Sequence, residues 1–317
     1  MIKFFADWMT YEVFKLGRET ILAGAVNFFI YDTIKIFLLL VVIIFVVSLI
    51  RSFFPPERTR AILAGKGRYT GNVLASLLGI VTPFCSCSAV PLFIGFVEAG
   101  VPLGVTFSFL VASPMINEVA LIMLWGMFGW KIALLYIGSG LVIAIISGIV
   151  IGRLKVENLI EEFVFKTKAA GVDIIPGMSF KDRLSYARDY TLDILKGIWP
   201  YVLIGIGLGA WIHGYVPQDF LARYAGRDKW YAVPLAVLLG IPLYSNAAGV
   251  IPLVSALTEK GVAIGTSLAF MMAVTALSLP EFMILKKVMK IKLIAIFAGV
   301  VAAGIILTGY MFNIIIK

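Results

Sequence analysis

The sequence predicts an all-α polytopic membrane protein built from two inverted repeats, each with three spanning helices and a broken, re-entrant helical hairpin. Three observations carry this expectation. Apolar residues come in long uncharged runs: Ile36–Ile50, Ile132–Gly152 and Leu293–Ile316 contain no charged side chain. Proline, glycine, glutamate and lysine recur at a constant offset of 161 residues. Basic residues are distributed so that only an odd number of crossings per repeat places them all on one face.

Of 317 residues 61% are hydrophobic and 14% charged, with mean hydropathy +1.01. Soluble domains sit near about half apolar and about a quarter charged. A bilayer core asks for roughly 20 apolar residues per helical span. No run alternates with the period of two that a membrane strand needs, so the spans are read as helices. The net charge of +9 is explained by lysine and arginine collecting in cytoplasmic loops, and no soluble segment remains to bind nucleic acid. The expected location is the plasma membrane, as in a prokaryotic inner membrane, crossed many times. The sequence leaves the oligomeric state open.

Residues 1–30 are expected to form an N-terminal interfacial helix. Phe4 to Leu16 mix Phe, Trp and Met with charges, and Asp7 and Glu12 interrupt any signal-peptide core. The first membrane repeat is placed at residues 31–152, with apolar blocks near 33–53, 71–97, 103–127 and 131–152. A cytoplasmic polar linker follows at 153–191. The second repeat is placed at 192–317, with blocks near 192–212, 232–258, 264–285 and 293–313. The offset carries Pro56 onto Pro217, Gly79 onto Gly240, Pro91 onto Pro252, Glu98 onto Glu259, Gly100 onto Gly261 and Gly104 onto Gly265. It goes on to carry Lys131 onto Lys292, Gly138 onto Gly299 and Gly148 onto Gly309.

The second block of each repeat is expected to break in mid-membrane. It carries Gly79, Pro83 and Pro91 in one repeat and Gly240, Pro242, Gly249 and Pro252 in the other, and such residues free backbone groups that lipid cannot satisfy. A hairpin returning to its starting side leaves three crossings per repeat. The loop carrying Arg51, Arg58, Arg60, Lys66 and Arg68, the 153–191 linker, and the cluster Lys286, Lys287, Lys290 and Lys292 then share the cytoplasmic face. Repeats of this kind hold their site near the midplane in secondary transporters.

Cys85 and Cys87 are the only cysteines, which excludes a disulfide framework. They lie in Thr82-Pro-Phe-Cys-Ser-Cys-Ser-Ala-Val-Pro91. Two thiols a residue apart suit a soft electrophile such as Cu(I), Zn(II) or trivalent arsenic, and a monoalkyl arsenical with two exchangeable bonds matches them in number. No nearby histidine or third cysteine completes a zinc site, so no resident metal and no cofactor are expected. The matching stretch of the second repeat, Leu243-Tyr-Ser-Asn-Ala-Ala-Gly-Val-Ile-Pro252, replaces the cysteines by Asn246 and Ala248. It is either a polar partner to the reactive hairpin or small-residue packing. In the third block Pro114 precedes Asn117 and Glu118. A carboxyl group at membrane depth is a functional candidate by default, here for proton coupling. Glu281, near the Lys286–Lys292 cluster, is expected to be more solvated, and the methionines Met115, Met123, Met127, Met271, Met272 and Met283 are read as core filler. Glu98 and Glu259 are read as hairpin ends. No Walker, Rossmann or HExxH pattern occurs, so an enzyme is not expected.

Thr82-Pro-Phe-Cys-Ser-Cys-Ser88 with Pro91, Ser113-Pro114 and Asn117-Glu118 resembles the predicted-permease family that includes the ArsP-like organoarsenical efflux permeases and the YraQ-like permeases. The similarity covers almost the whole chain. It implies an integral membrane permease, with efflux of trivalent organoarsenicals in the ArsP-like branch through the cysteines of this motif. Cys85 and Cys87 match directly, framed by Pro83, Ser86 and Ser88. Metal-exporting relatives are expected to carry further cysteines, which this chain lacks. The expected activity is therefore secondary export of a small thiol-reactive solute by alternating access. Cys85, Cys87, Ser86, Ser88, Asn117 and Asn246 would contact solute, and Glu118 would couple protons. Pro83, Pro91, Pro114, Pro242 and Pro252 would break helices. Transport of reduced sulfur species or soft metal ions, and membrane thiol-redox chemistry, are the alternatives.

Overall fold

The computed structural model describes residues 2–18, 20–51, 69–81, 86–116, 118–161, 179–215, 229–243, 247–259 and 261–316. Those residues form helices and turns, with one isolated antiparallel bridge between Ile160 and Met289. The helices are α1 (Ile2–Asp7), continuing as a π-helical turn at Trp8–Val13, then α2 (Ile21–Arg51), α3 (Thr70–Val81), α4 (Ser86–Glu98), α5 (Leu103–Met115), α6 (Glu118–Phe128) and α7 (Trp130–Arg153). They continue as α8 (Phe180–Tyr215), α9 (Ala232–Gly240), α10 (Ala247–Glu259), α11 (Ile264–Ala276), α12 (Leu279–Leu285) and α13 (Ile291–Ile315).

The offset of 161 read from side chains reappears in the helix ends. It carries both ends of α4 onto α10, both ends of α5 onto α11, and the first residues of α6 and α7 onto those of α12 and α13. The local cause is shared chemistry. Gly100 and Gly261 adopt positive φ, +76° and +87°, where a side chain would be strained. Each closes the tight turn after Glu98 or Glu259, the residues that end α4 and α10.

Four helical stretches are long and apolar enough to cross a bilayer among the described residues: Ile21–Leu38, Trp130–Arg153, Ile264–Leu285 and Ile291–Ile315. The pair Leu103–Met115 and Ala120–Phe128, bent by 49°, makes a fifth if it counts as one span. At about 1.5 Å per residue, the 24 residues of α7 reach about 36 Å, enough for the hydrocarbon core. The expected span at 192–212 falls in α8, a single 36-residue helix that also includes the last part of the 153–191 segment. α2 likewise starts at Ile21, inside the segment assigned to the N-terminal helix. α1 is held on α2 by Asn27, whose Nδ2 donates to Asp7 Oδ1 at 2.8 Å.

α5 and α11 form the centre. Every residue of α5 is buried, and all but the first of α11. Around them α7 buries Ala133, Tyr136, Ser139, Gly140, Ile143, Ala144, Ser147, Gly148 and Ile151, a helical stripe of mostly small residues. Its other face exposes Leu134, Val142 and Ile146. That is the arrangement membrane helices use: lipid is as apolar as leucine, so close packing and hydrogen bonds drive association. Gly104 and Gly148 make the approach possible, since a Cβ on Gly104 would stand 2.5 Å from the Gly148 carbonyl. Gly265 and Gly309 repeat the contact in the second half.

Candidate functional site

The two broken segments are positioned by the central helices. In the first turn of α3, Asn72 Nδ2 donates to the Gly104 carbonyl at 3.0 Å and to Ser108 Oγ at 2.9 Å. Near the end of α3, Gly79 abuts Ala112 and Ser113. α3 therefore runs parallel to α5. α4 enters α5 through the tight turn at 99–102 and packs back along it, with Phe93 edge-on to Phe107 (5.3 Å) and Phe96 edge-on to Phe109 (5.1 Å). The arms α3 and α4 consequently run in opposite directions, with Val81 and Ser86 toward the Ser113–Met115 end of α5. α9 and α10 repeat this on α11: Val233 lies against Gly309, and Gly240 against Ala273 and the Phe270 carbonyl.

Each second block is described as two helices, with residues 82–85 and 244–246 between them outside the described residues. Cys85, Asn117 and Asn246, with Pro83, lie outside the described residues. Ser86, Cys87 and Ser88 are helical backbone in the first turn of α4, and Glu118 begins α6. The structure places three of the expected helix-breaking prolines differently. Pro91 and Pro252 lie inside α4 and α10. A helical proline has no N–H for the carbonyl four residues back, so the Cys87 and Ala248 carbonyls lack that partner at equivalent places in both halves. Pro114 likewise lies inside α5; the chain leaves the helix at Ile116 (φ −111°, ψ 96°). Pro242 is in the turn that follows α9.

Sequence reasoning missed the group that steadies the α5–α6 bend. Tyr136 on α7 is fully buried, and its hydroxyl donates to the Met115 carbonyl at 2.5 Å. That carbonyl belongs to the last turn of α5, where helical partners run out. The Thr275 side chain near the end of α11 lies beside the same hydroxyl, so one side chain reaches the end of each central helix. A tyrosine in a stripe of small residues was the available signal. The expectation that Glu281 is solvated is overturned: it is 0% exposed, because α12 is covered by α8 and α4. The core reading of the methionines holds for Met115, Met271 and Met272, each fully buried, and fails for Met127, which is exposed; Met123 and Met283 are half-buried.

Contacts between the halves are reciprocal. α4 packs on α12 while α6 packs on α10, and equivalent helices meet as α2 with α8, α5 with α11 and α7 with α13. Ile143 and its equivalent Gly304 touch each other. At one end of the molecule Arg153 donates to the Tyr69 hydroxyl at 2.6 Å. There too, the segment after α7 joins the start of α13, with Lys290 N–H to the Leu159 carbonyl at 2.8 Å and Glu161 N–H to the Val288 carbonyl at 2.9 Å. Tyr310, late in α13, donates to the Trp230 carbonyl just before α9.

Several helices long and apolar enough to cross a bilayer mark a membrane protein, and sequence comparison gives its family. The chain belongs to the predicted permease family ArsP_1, whose model matches residues 21–314. It is similar to the UPF0718 protein MJ0584 of Methanocaldococcus jannaschii, with 22% identity over 79% of this chain and 84% of that protein. The UPF0718 protein YraQ of Escherichia coli is 24% identical over 83% of this chain and 73% of its own. For the UPF0718 protein YcgR of Bacillus subtilis the figures are 22%, 58% and 62%. No solved structure matches the chain.

Proposed function

We propose that this permease is a secondary exporter of a small thiol-reactive solute, of the class of trivalent organoarsenicals, working by alternating access in the plasma membrane. The observation that carries the reading is the pair of interrupted helical segments at equivalent places, α3–α4 and α9–α10. Of these, only the first bears Cys85 and Cys87. With methylarsonous acid as solute, each thiol would give up its proton and form one As–S bond. Each As–OH would leave as water, with no change of oxidation state. Ser86, Ser88, Asn117 and Asn246 would line the path, and Glu118 would carry a proton.

The repeats are read as inverted. α7 ends, and α3 and α13 begin, at one end of the molecule, whereas α9 begins beside the end of α13. Only six residues lie between Arg153 and the bridge at Ile160, so the two are at most about 25 Å apart along extended chain. That is shorter than α7 itself, so α7 and its equivalent α13 point opposite ways. Lys286, Lys287 and Lys290 then share the cytoplasmic face with the 153–191 linker, and each hairpin is re-entrant.

The test replaces both cysteines by serine. The C85S/C87S protein is expected to reach the membrane at wild-type level but to lose protection of cells against methylarsonous acid and uptake of it into everted vesicles. Unchanged uptake removes arsenicals from consideration. Mass spectrometry of the wild type after exposure to thiosulfate, Cu(I) or a disulfide would then show which alternative the thiols engage.

A further inference from the structure

We infer that Glu281, with the neighbouring Ser278 hydroxyl, is a cation-coupling site serving the hairpin that bears the cysteine motif. The inference deepens the permease reading and rests on it. α11 ends at Ala276; Leu277 leaves the helix at φ −135°, ψ 25°, and Ser278 is extended before α12. The Leu279 N–H at this break donates to the Ile241 carbonyl at 2.8 Å, tying it to the end of α9. A serine ahead of a helix ordinarily accepts a hydrogen bond from the second or third helical N–H. Here Ser278 makes no such bond, and Pro280 has no N–H to offer. Ser278 Oγ is instead buried without a hydrogen-bond partner among the described residues, in a side chain 1% exposed.

One turn on, Glu281 is 0% exposed. An ionisable side chain at membrane depth marks ion or proton pathways, and secondary transporters hold coupling ions where helices are interrupted and backbone carbonyls are freed; a carboxyl and a hydroxyl there add oxygen donors suited to H⁺ or Na⁺. The location adds the connection to solute. α12 packs on α4 and on α8. α4 carries Cys87 and Glu98, and the titratable groups of α8 are Lys181, Asp182, Arg183, Tyr186, Arg188, Asp189, Tyr190, Asp193, Lys196, Tyr201, His213 and Tyr215. α6, which begins with Glu118, packs on the other hairpin arm, α10. Each half thus lends a carboxyl-bearing helix to the opposite half's hairpin, and the one against the cysteine arm carries Glu281. The ligand class is a monovalent cation.

The experiment uses full-length protein in proteoliposomes, as wild type, E281Q, S278A and the surface control E157Q. Infrared difference spectra between acid and alkaline buffer read carboxyl protonation with no solute present. A titrating band of a buried carboxyl, distinct from those of the exposed carboxylates, is expected in wild type and E157Q and is lost in E281Q. If sodium chloride at constant pH displaces the band the cation is Na⁺; if not, it is H⁺. With methylarsonous acid, E281Q is expected to lose gradient-driven accumulation yet keep equilibrium exchange, and S278A to weaken cation dependence. Glutamine serves in a helix cap as well as glutamate does. Wild-type accumulation by E281Q, or a band that survives in E281Q, therefore overturns the assignment and leaves Glu281 a capping residue. A wild type that shows the Glu281 band but moves no arsenical sinks the substrate reading alone.

Discussion

Removing the Tyr136 hydroxyl is the sharpest single test of how the central bend is held. Tyr136→Phe keeps the ring, whose equivalent in the second half is already Phe297, and deletes one donor to the Met115 carbonyl at 2.5 Å. A neutral hydrogen bond contributes about 1 kcal/mol net, and stranding a buried polar group costs about 1–3 kcal/mol. Inter-helix bonds in membranes average nearer ~0.6 kcal/mol with a maximum of ~1.7, because the unfolded chain finds other partners. Both residues here are dry, at 1% and 0% exposed, and the carbonyl lies where α5 runs out of helical donors. The upper part of the membrane range is therefore expected, about 1.5 kcal/mol. Reversible unfolding in mixed micelles at increasing SDS fraction measures it. Thr275→Val, singly and in combination, completes a double-mutant cycle, since Thr275 lies beside the same hydroxyl. A Y136F protein as stable as wild type, or strict additivity with T275V, would refute the view that this hydroxyl joins the two central helix ends.

Glycines matched by the 161-residue offset separate into two groups by environment. Gly104→Ala sets a methyl against the Gly148 carbonyl and within 2.9 Å of Gly152 Cα, and thermal unfolding is expected to show a loss of at least about 1–3 kcal/mol. Gly138→Ala and Gly299→Ala meet nothing within 4 Å, so both should be neutral or gain up to about 1 kcal/mol of helix propensity. For the sidedness, a cysteine-free background carrying Lys155→Cys or Lys290→Cys should be labelled by an impermeant maleimide only from the cytoplasm, and Lys131→Cys only from outside. Labelling of positions 155 and 290 from opposite faces defeats the inverted arrangement.

The helix ends were legible in the sequence because their causes are local. Gly100 and Gly261 take positive φ wherever the rest of the chain goes, and the prolines of the second blocks interrupt hydrogen bonding within one turn. Even here local rules fell short by a few residues. Pro91, Pro252 and Pro114 are tolerated inside helices, where only one carbonyl each loses its partner and the surrounding protein holds the turn in place. The cysteine pair stood out through composition alone, two in 317 residues and adjacent to prolines.

By itself the sequence determined that the chain is a helical membrane protein, that its elements recur after 161 residues, and which of the two hairpins carries thiols. Apolar length, glycine conformation and proline chemistry act over a few residues and need no distant partner. Only the tertiary structure decided what is buried. Glu281 is close to four lysines in sequence yet is covered by α8 and α4, and Tyr136 finds Met115 and Thr275 across 21 and 139 positions of chain. Burial and hydrogen bonding depend on which remote helix arrives at a given face, and no local pattern carries that information.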